Sequence, residues 1–250
     1  MPPVDGSDLS RWWENDREEA VERERVESKR KTLTAACMIA APILFLASDS
    51  IWPVTSSEPE DMLADAINNT GRVYAATLLA LAAMVLMVGA VIGLAHLLRE
   101  RRPGLAVVGG ALGLTGIVSI AAAFGAFGIV LAEVGAGDEV AARAEFLEDV
   151  MGRALPAFIL GMLLNVGLIV LATGLYKARV VASWSAVALG VGAVVLAVAN
   201  PLGAKPVILV AEVVLLAGLG SIGWLILTET EEEWEHTPQL RGYGSPVPAG

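Results

Sequence analysis

The chain has 250 residues, 55% of them hydrophobic, and a formal net charge of −10. This composition, with a mean hydropathy of +0.64, excludes an ordinary soluble domain, and the negative charge argues against a nucleic-acid partner, which requires a basic surface. One cysteine, Cys37, and two histidines, His96 and His236, are too few for zinc, haem or iron–sulfur sites, so we predict no metal and no cofactor.

Residues 1–31 form a charged N-terminal segment with nine acids, seven bases and almost no aliphatic run. The segment is too acidic for the leader of a cleavable signal peptide. From about Asp8, acids crowd the early turns, and Glu19 precedes Arg23 by four residues, as Glu27 precedes Lys31. This pattern predicts a solvent-exposed helix on the cytoplasmic side.

Residues 32–228 form the predicted transmembrane domain. A helix needs about 20 apolar residues to cross the roughly 30 Å hydrocarbon core of a bilayer. Six stretches of this kind follow one another, at about 32–52, 73–98, 105–132, 154–176, 180–204 and 206–228. The sequence therefore predicts an all-α, polytopic fold of six transmembrane helices, with the lipid bilayer as its surroundings.

Two connections on the outer side carry predicted amphipathic helices. The first follows Ser57, whose spacing to Glu60 is that of a capping box, and the second follows Asp138. The first has one apolar side, which we expect to lie on the membrane and which contains Met62, Leu63, Ala66 and Ile67. The second is predicted to end before the fourth span, with apolar positions at Val140, Ala144, Leu147 and Met151.

The orientation of the chain in the membrane follows from the positions of Lys and Arg. With six spans, thirteen basic residues fall on the side of the termini and four on the other side, namely Arg72, Arg143, Arg153 and Lys205. We therefore predict that both termini are cytoplasmic. Residues 229–250 are acidic at first and end in Gly and Pro, which predicts a disordered cytoplasmic tail.

Small residues recur at helical spacing in the second and third spans, at Gly89, Gly93, Gly109, Gly113, Gly116, Gly125 and Gly128. They allow helices to approach closely. We predict that they pack helices within one bundle; a dimer face is the alternative, so the oligomeric state stays open. Pro42 lies in the middle of the first span, where it removes a backbone donor.

Three polar residues within or beside the spans are candidate proton or polar sites: Glu212, Asn165 and Asp49. Glu212 lies six residues after Pro206, about 9 Å along a helix, in the outer half of the hydrocarbon region. Ionisable groups at such depth are functional candidates because burying them is costly. The alternative for Glu212 is a structural acid that fixes helix register, and for Asn165 a hydrogen bond to a neighbouring helix.

Short motifs give the chain a resemblance to a known family. Leu97-Leu98-Arg99 closes the second span, Tyr176-Lys177-Ala178-Arg179 forms a tight turn before Trp184, and Glu212 precedes Trp224 in the last span. Over roughly residues 32–228 this resembles a family of small multi-pass bacterial membrane proteins catalogued as a domain of unknown function. The resemblance implies the six helices and a bacterial plasma membrane, and it brings no activity with it.

Two function classes follow. The chain lacks GxSxG, HExxH and GxxxxGKS/T motifs, so we predict that it is not an enzyme. The favoured class is a regulatory membrane module that recruits a cytoplasmic protein partner through its N-terminal helix. The alternative is a small proton-coupled permease using Glu212, which would require several polar groups to converge beside broken helices.

Overall fold

The protein is described here by a computed structural model, which covers residues 6–54, 59–134, 140–230 and 234, with side chains at 28–54, 60–131, 145–230 and 234. The described residues form eight α-helices and no strand, which confirms the all-α prediction. In chain order they are α1 (Gly6–Ile51), α2 (Pro59–Asn68), α3 (Thr70–Leu98), α4 (Pro103–Val134), α5 (Val140–Gly161), α6 (Leu163–Ala178), α7 (Ser183–Ala199) and α8 (Lys205–Thr228).

Five helical segments in the described part of the chain are long and apolar enough to cross a membrane: Ser28–Ile51, Thr70–Leu98, Pro103–Leu131, Glu145–Ala178 and Lys205–Thr228. They correspond to five of the six predicted spans. The remaining one, predicted at 180–204, is the shorter apolar helix α7 of 17 residues. Arg179, in the left-handed conformation with φ of 54°, ends α6 and shortens this stretch at its start.

The helices form a closed ring. Each of α1, α3, α4, α6 and α7 packs on the next in that order, and α8 packs on both α7 and α1. The charged N-terminal segment belongs to the same helix as the first span, because α1 runs without interruption from Gly6 to Ile51.

The two ends of the ring are fixed by contacts between its first and last helices. At one end, called the Lys31 end, the Lys31 ammonium donates to the carbonyl of Glu229. At the other, called the Trp52 end, Lys205 Nζ donates to the Trp52 carbonyl over 2.6 Å. The two helices therefore run antiparallel along their full length.

Glycines bring the helices of the ring together, as predicted. A Cβ atom at Gly89 would lie 2.7 Å from Cys37 Sγ on α1, and one at Gly109 would lie 2.7 Å from Leu171 Cγ on α6. Gly113 faces Val91 on α3 at 3.1 Å. These contacts lie within one chain, so the prediction of packing inside a single bundle is confirmed.

The second outer helix differs from its prediction. It is not separate from the fourth span, since α5 continues without a break from Val140 to Gly161; Asp138 lies outside the described residues. Arg153 forms an ion pair of 2.7 Å with Asp149 one turn earlier, which supports a continuous helix where the sequence predicted a boundary. The interruption falls later, at Met162, between α5 and α6.

The first outer helix, α2, packs on the protein. Leu63 and Ala66 are fully buried, and Met62 and Ala66 join a cluster with Val73 of α3 and Leu147 of α5. Ser57 lies outside the described residues. Three of the four residues of the predicted apolar side are thus turned to the bundle at the Trp52 end, whereas Ile67 is exposed. That α2 lies on the membrane stays a prediction.

One residue of the predicted tail docks on the Lys31 end. Most of residues 229–250 lie outside the described part, but Trp234 is described and is only 3% exposed. Its ring stacks on His96 with centroids 4.5 Å apart, and its carbonyl is 3.3 Å from His96 Nε2. Arg30 of α1 lies 3.2 Å from the other ring nitrogen, so this contact joins α1, α3 and the tail.

Candidate functional site

Two carboxyl groups meet between the first and last helices of the ring. Asp49 lies near the Trp52 end of α1, and Glu212 lies on α8, seven residues or about two turns after Lys205. Their side chains are in hydrogen-bonding contact. Glu212 is 4% exposed, while Asp49 is half-buried. The antiparallel packing of α1 and α8 therefore brings together two of the three residues that the sequence singled out.

The contact between these carboxyls requires a proton. Two carboxylates at hydrogen-bonding distance cannot both be ionised without strong repulsion, whereas one carboxylic acid can donate to the other. Lys205 is the basic residue whose charge acts on Asp49. One proton on the pair, with Glu212 as the donor and Asp49 as the acceptor, makes the group of three neutral.

Few other ionisable groups lie near this pair. The helix α7, which packs on α8, contains no charged or titratable residue. In α1, the span from residue 32 to 51 adds only Cys37, which packs against Gly89 of α3. Within α1, α7 and α8, the charged group that acts on Asp49 is Lys205. On α3, Arg72 and Tyr74 belong to the same end of the ring, since Ser48 beside Asp49 donates to the carbonyl of Ala76.

Glu212 also lines a cavity of about 100 Å³ inside the ring. Every helix of the ring contributes, and α5 adds Gly161, the residue just before the interruption at Met162. The lining residues are Pro42, Phe45, Met87, Ile120, Gly161, Met162, Leu164, Asn165, Leu168, Leu196, Asn200, Glu212 and Leu215. The cavity is therefore a feature of the whole bundle and not of one helix pair.

Two amide side chains join Glu212 in this cavity. Asn165 of α6 is 7% exposed, and no hydrogen bond of its side chain to another described residue is present. Asn200 caps the end of α7 and is exposed, so the cavity extends towards the Trp52 end. The Oε2 atom of Glu212 is buried and has no hydrogen-bond partner within the described part of the chain. The cavity thus combines apolar walls with hydrogen-bonding groups whose capacity is not used by the protein.

Irregular backbone borders the same cavity. Met162, where the helix is interrupted between α5 and α6, is a lining residue, and so is Pro42 inside α1. Pro42 leaves the carbonyl one turn earlier without its helical donor. In membrane proteins such irregular backbone is tolerated where it is buried in protein or faces a cavity.

Sequence reasoning missed two members of this site. Lys205 was counted as a basic residue of the outer side, two helical turns from Glu212, and Asn200 was not singled out. Their role depends on the register between α8 and the helices beside it, for which the sequence carries no signal. No group of three or more His, Cys, Asp or Glu side chains that could hold a metal ion occurs among the described residues.

Comparison with known proteins gives one match. Residues 33–228 match a family described as "Domain of unknown function (DUF4386)". The matched range covers the ring from the first span to the last. No curated protein and no solved structure matches the chain. Since the match includes well over half of the sequence, the chain belongs to the DUF4386 family.

Proposed function

We propose that the protein is a small proton-coupled permease in which Asp49 and Glu212 hold the exchangeable proton. The observation that carries this proposal is the buried carboxyl pair beside a cavity lined by every helix of the ring. Polar groups converge there, next to an interrupted helix, which is the arrangement expected of a transport site. The proposal involves no chemical catalysis.

The proposal includes six membrane crossings with both termini in the cytoplasm of a bacterial cell. The contact of Lys205 with Trp52 supports it, because α7 must then run the length of the bundle to connect α6 to the start of α8. A helix of 17 residues spans about 25 Å, at the lower limit for crossing a bilayer. The distribution of basic residues supports placing the Trp52 end outside.

Cysteine accessibility tests this topology. In a Cys37→Ala background, we expect a reagent that cannot cross membranes to label cysteines at Glu60, Glu145 and Leu202 on intact cells, and to spare one at Arg101. Leu202 is decisive for α7, since it lies in the turn between α7 and α8 and is 73% exposed. Labelling of Arg101 alone would contradict the proposed orientation, and failure to label Leu202 while Glu60 is labelled would contradict six crossings.

Proton exchange in vesicles tests the function itself. We expect the wild-type protein in liposomes to dissipate an imposed pH gradient faster than protein-free vesicles. Glu212→Gln keeps the shape of the side chain and its hydrogen bonding but cannot titrate, so its rate should fall to that of protein-free vesicles. Glu145→Gln removes an exposed acid on α5 and should leave the rate unchanged. Equal rates for the wild type and Glu212→Gln would refute the proposal.

Recruitment of a cytoplasmic partner by the N-terminal helix stays a prediction from the sequence. Its side chains before residue 28 are outside the described part of the structure. The permease is preferred because its requirement for converging polar groups is met by Glu212, Asp49 and the two asparagines of the cavity.

A further inference from the structure

The cavity inside the ring carries one kind of ionisable group. Glu212 is an acid, Asn165 and Asn200 are neutral amides, and the other lining residues are apolar or glycine. Lys205 is not among them, and its ammonium group donates to the Trp52 carbonyl. An anion in the cavity would therefore meet an acid with no base beside it, whereas a cation would be attracted.

Replacement of the proton by a cation would also conserve charge. With Glu212 protonated, the group formed with Asp49 and Lys205 is neutral. If the O–H bond of Glu212 breaks and the proton leaves to solvent, a buried carboxylate remains without a counter-ion, which is costly. A monovalent cation that enters as the proton leaves restores neutrality, and no electron transfer is involved.

The unused hydrogen-bonding groups indicate which cation fits. Glu212 Oε2 is a buried acceptor without a partner among the described residues, and Asn165 offers a second acceptor through its amide oxygen. An ammonium group supplies three N–H donors, and the apolar walls formed by Phe45, Leu168 and Leu215 suit a short hydrocarbon chain.

The volume limits the length of that chain. The cavity holds about 100 Å³, whereas an apolar cavity of about 150 Å³ accommodates benzene with its six carbon atoms. By proportion, the ligand has about four non-hydrogen atoms. We propose that the cavity binds a short primary alkylammonium ion in exchange for the proton of Glu212. This inference rests on the proposed function, because it uses the same proton.

Calorimetric titration of the purified full-length protein with propylammonium chloride tests the inference. We expect saturable binding with release of one proton, detected from the dependence of the heat on the buffer. Affinity should fall about tenfold for each unit that the pH is lowered in the range where Glu212 is protonated, because one proton competes with one cation. Propan-1-ol, of the same length but uncharged, and propionate should not release protons.

Variants separate the roles of the residues. Glu212→Gln should abolish proton release, while Asn165→Ala should weaken propylammonium binding and retain the release. Asn68→Ala, an exposed amide on α2, is the matched control and should bind as the wild type does. If Glu212→Gln fails to fold, Asp49→Asn serves as the second test: because Glu212 loses its hydrogen-bond partner, we expect the pH range over which binding depends on pH to move, and an unchanged range would contradict the inference.

Two results would overturn the inference. Equal binding of propylammonium and propan-1-ol without proton release would show a merely apolar cavity, and binding of propionate in place of the cation would show the opposite charge preference. After either result, the proposed function would still be supported if proton exchange in vesicles continues to depend on Glu212. Loss of that exchange would instead remove the proposed function, whatever the cavity binds.

Discussion

Gly116→Ala is expected to lower the stability of the protein by about 2 to 3 kcal/mol, the range of an overpacked core. Gly116 is buried on α4 where this helix crosses the start of α6. A Cβ atom there would overlap the backbone nitrogen of Leu164 and lie 2.7 Å from its Cα and 2.8 Å from the carbonyl carbon of Leu163. Backbone atoms cannot rotate away as a side chain can, so the two helices must separate.

Gly110→Ala provides the control on the same helix. Its Cβ would lie 3.5 Å from the Cβ of Ala95, an ordinary contact. Because alanine favours the helix by up to about 1 kcal/mol over glycine, this variant should be as stable as the wild type or slightly more so. Chemical unfolding in detergent micelles measures both variants. Similar stabilities for the two would show that α4 and α6 do not approach as closely as described.

Trp234→Ala is expected to lower stability by about 3 kcal/mol, the lower part of the range for buried tryptophan. Trp234 is 3% exposed and belongs to the main apolar cluster of the bundle. Its ring stacks on His96 of α3. Removal of the ring would uncover the Lys31 end of the helices, and thermal unfolding together with faster proteolysis of the tail measures the loss.

Trp234→Phe separates packing from hydrogen bonding. The indole Nε1 of Trp234 has no hydrogen-bond partner among the described residues, so phenylalanine should retain most of the stability through the aromatic stack. Trp224→Ala is the second control, since Trp224 lies on α8 with 66% of its surface exposed. If Trp234→Ala were no less stable than Trp224→Ala, the tail would not be docked on the bundle.

Much of the fold was predictable because charge-free runs of about 20 residues are a local property of the sequence. They located five segments that are long and apolar enough to cross a membrane, four of them to within a few residues at both ends. The glycine spacing predicted close packing but not the partners, since Gly113 faces α3 and Gly116 faces α6. Which helix a given glycine contacts depends on how each helix of the ring is rotated about its own axis.

The boundary of the fourth span was not predictable in the same way. Charged residues up to Arg153 placed the predicted start of the span at 154, after a separate outer helix, yet Arg153 pairs with Asp149 along a continuous helix. The interruption falls instead at Met162, within an uncharged run that contains Pro156 and Gly161. It lies where α6 packs on α4 and the backbone of Leu164 approaches Gly116.

The candidate site was likewise predictable only in part: its polar residues could be found in the sequence, but their contacts could not. Glu212, Asn165 and Asp49 stand out in the sequence because each is polar in apolar surroundings. That Glu212 contacts Asp49, and that Asn165 lies across a shared cavity, depends on contacts between helices far apart in sequence. Lys205 completes the group only because α8 begins beside Trp52 at the end of α1.

Infrared spectroscopy of the protein in lipid membranes tests the central claim, that Asp49 and Glu212 share one proton, most directly. At neutral pH the wild type should show the carbonyl band of a protonated carboxylic acid, which Glu212→Gln removes and Asp49→Asn shifts because the hydrogen bond changes. The exposed acid variant Glu145→Gln should leave the band unaltered. A band that persists unchanged in Glu212→Gln, or no such band in the wild type, would contradict the shared proton.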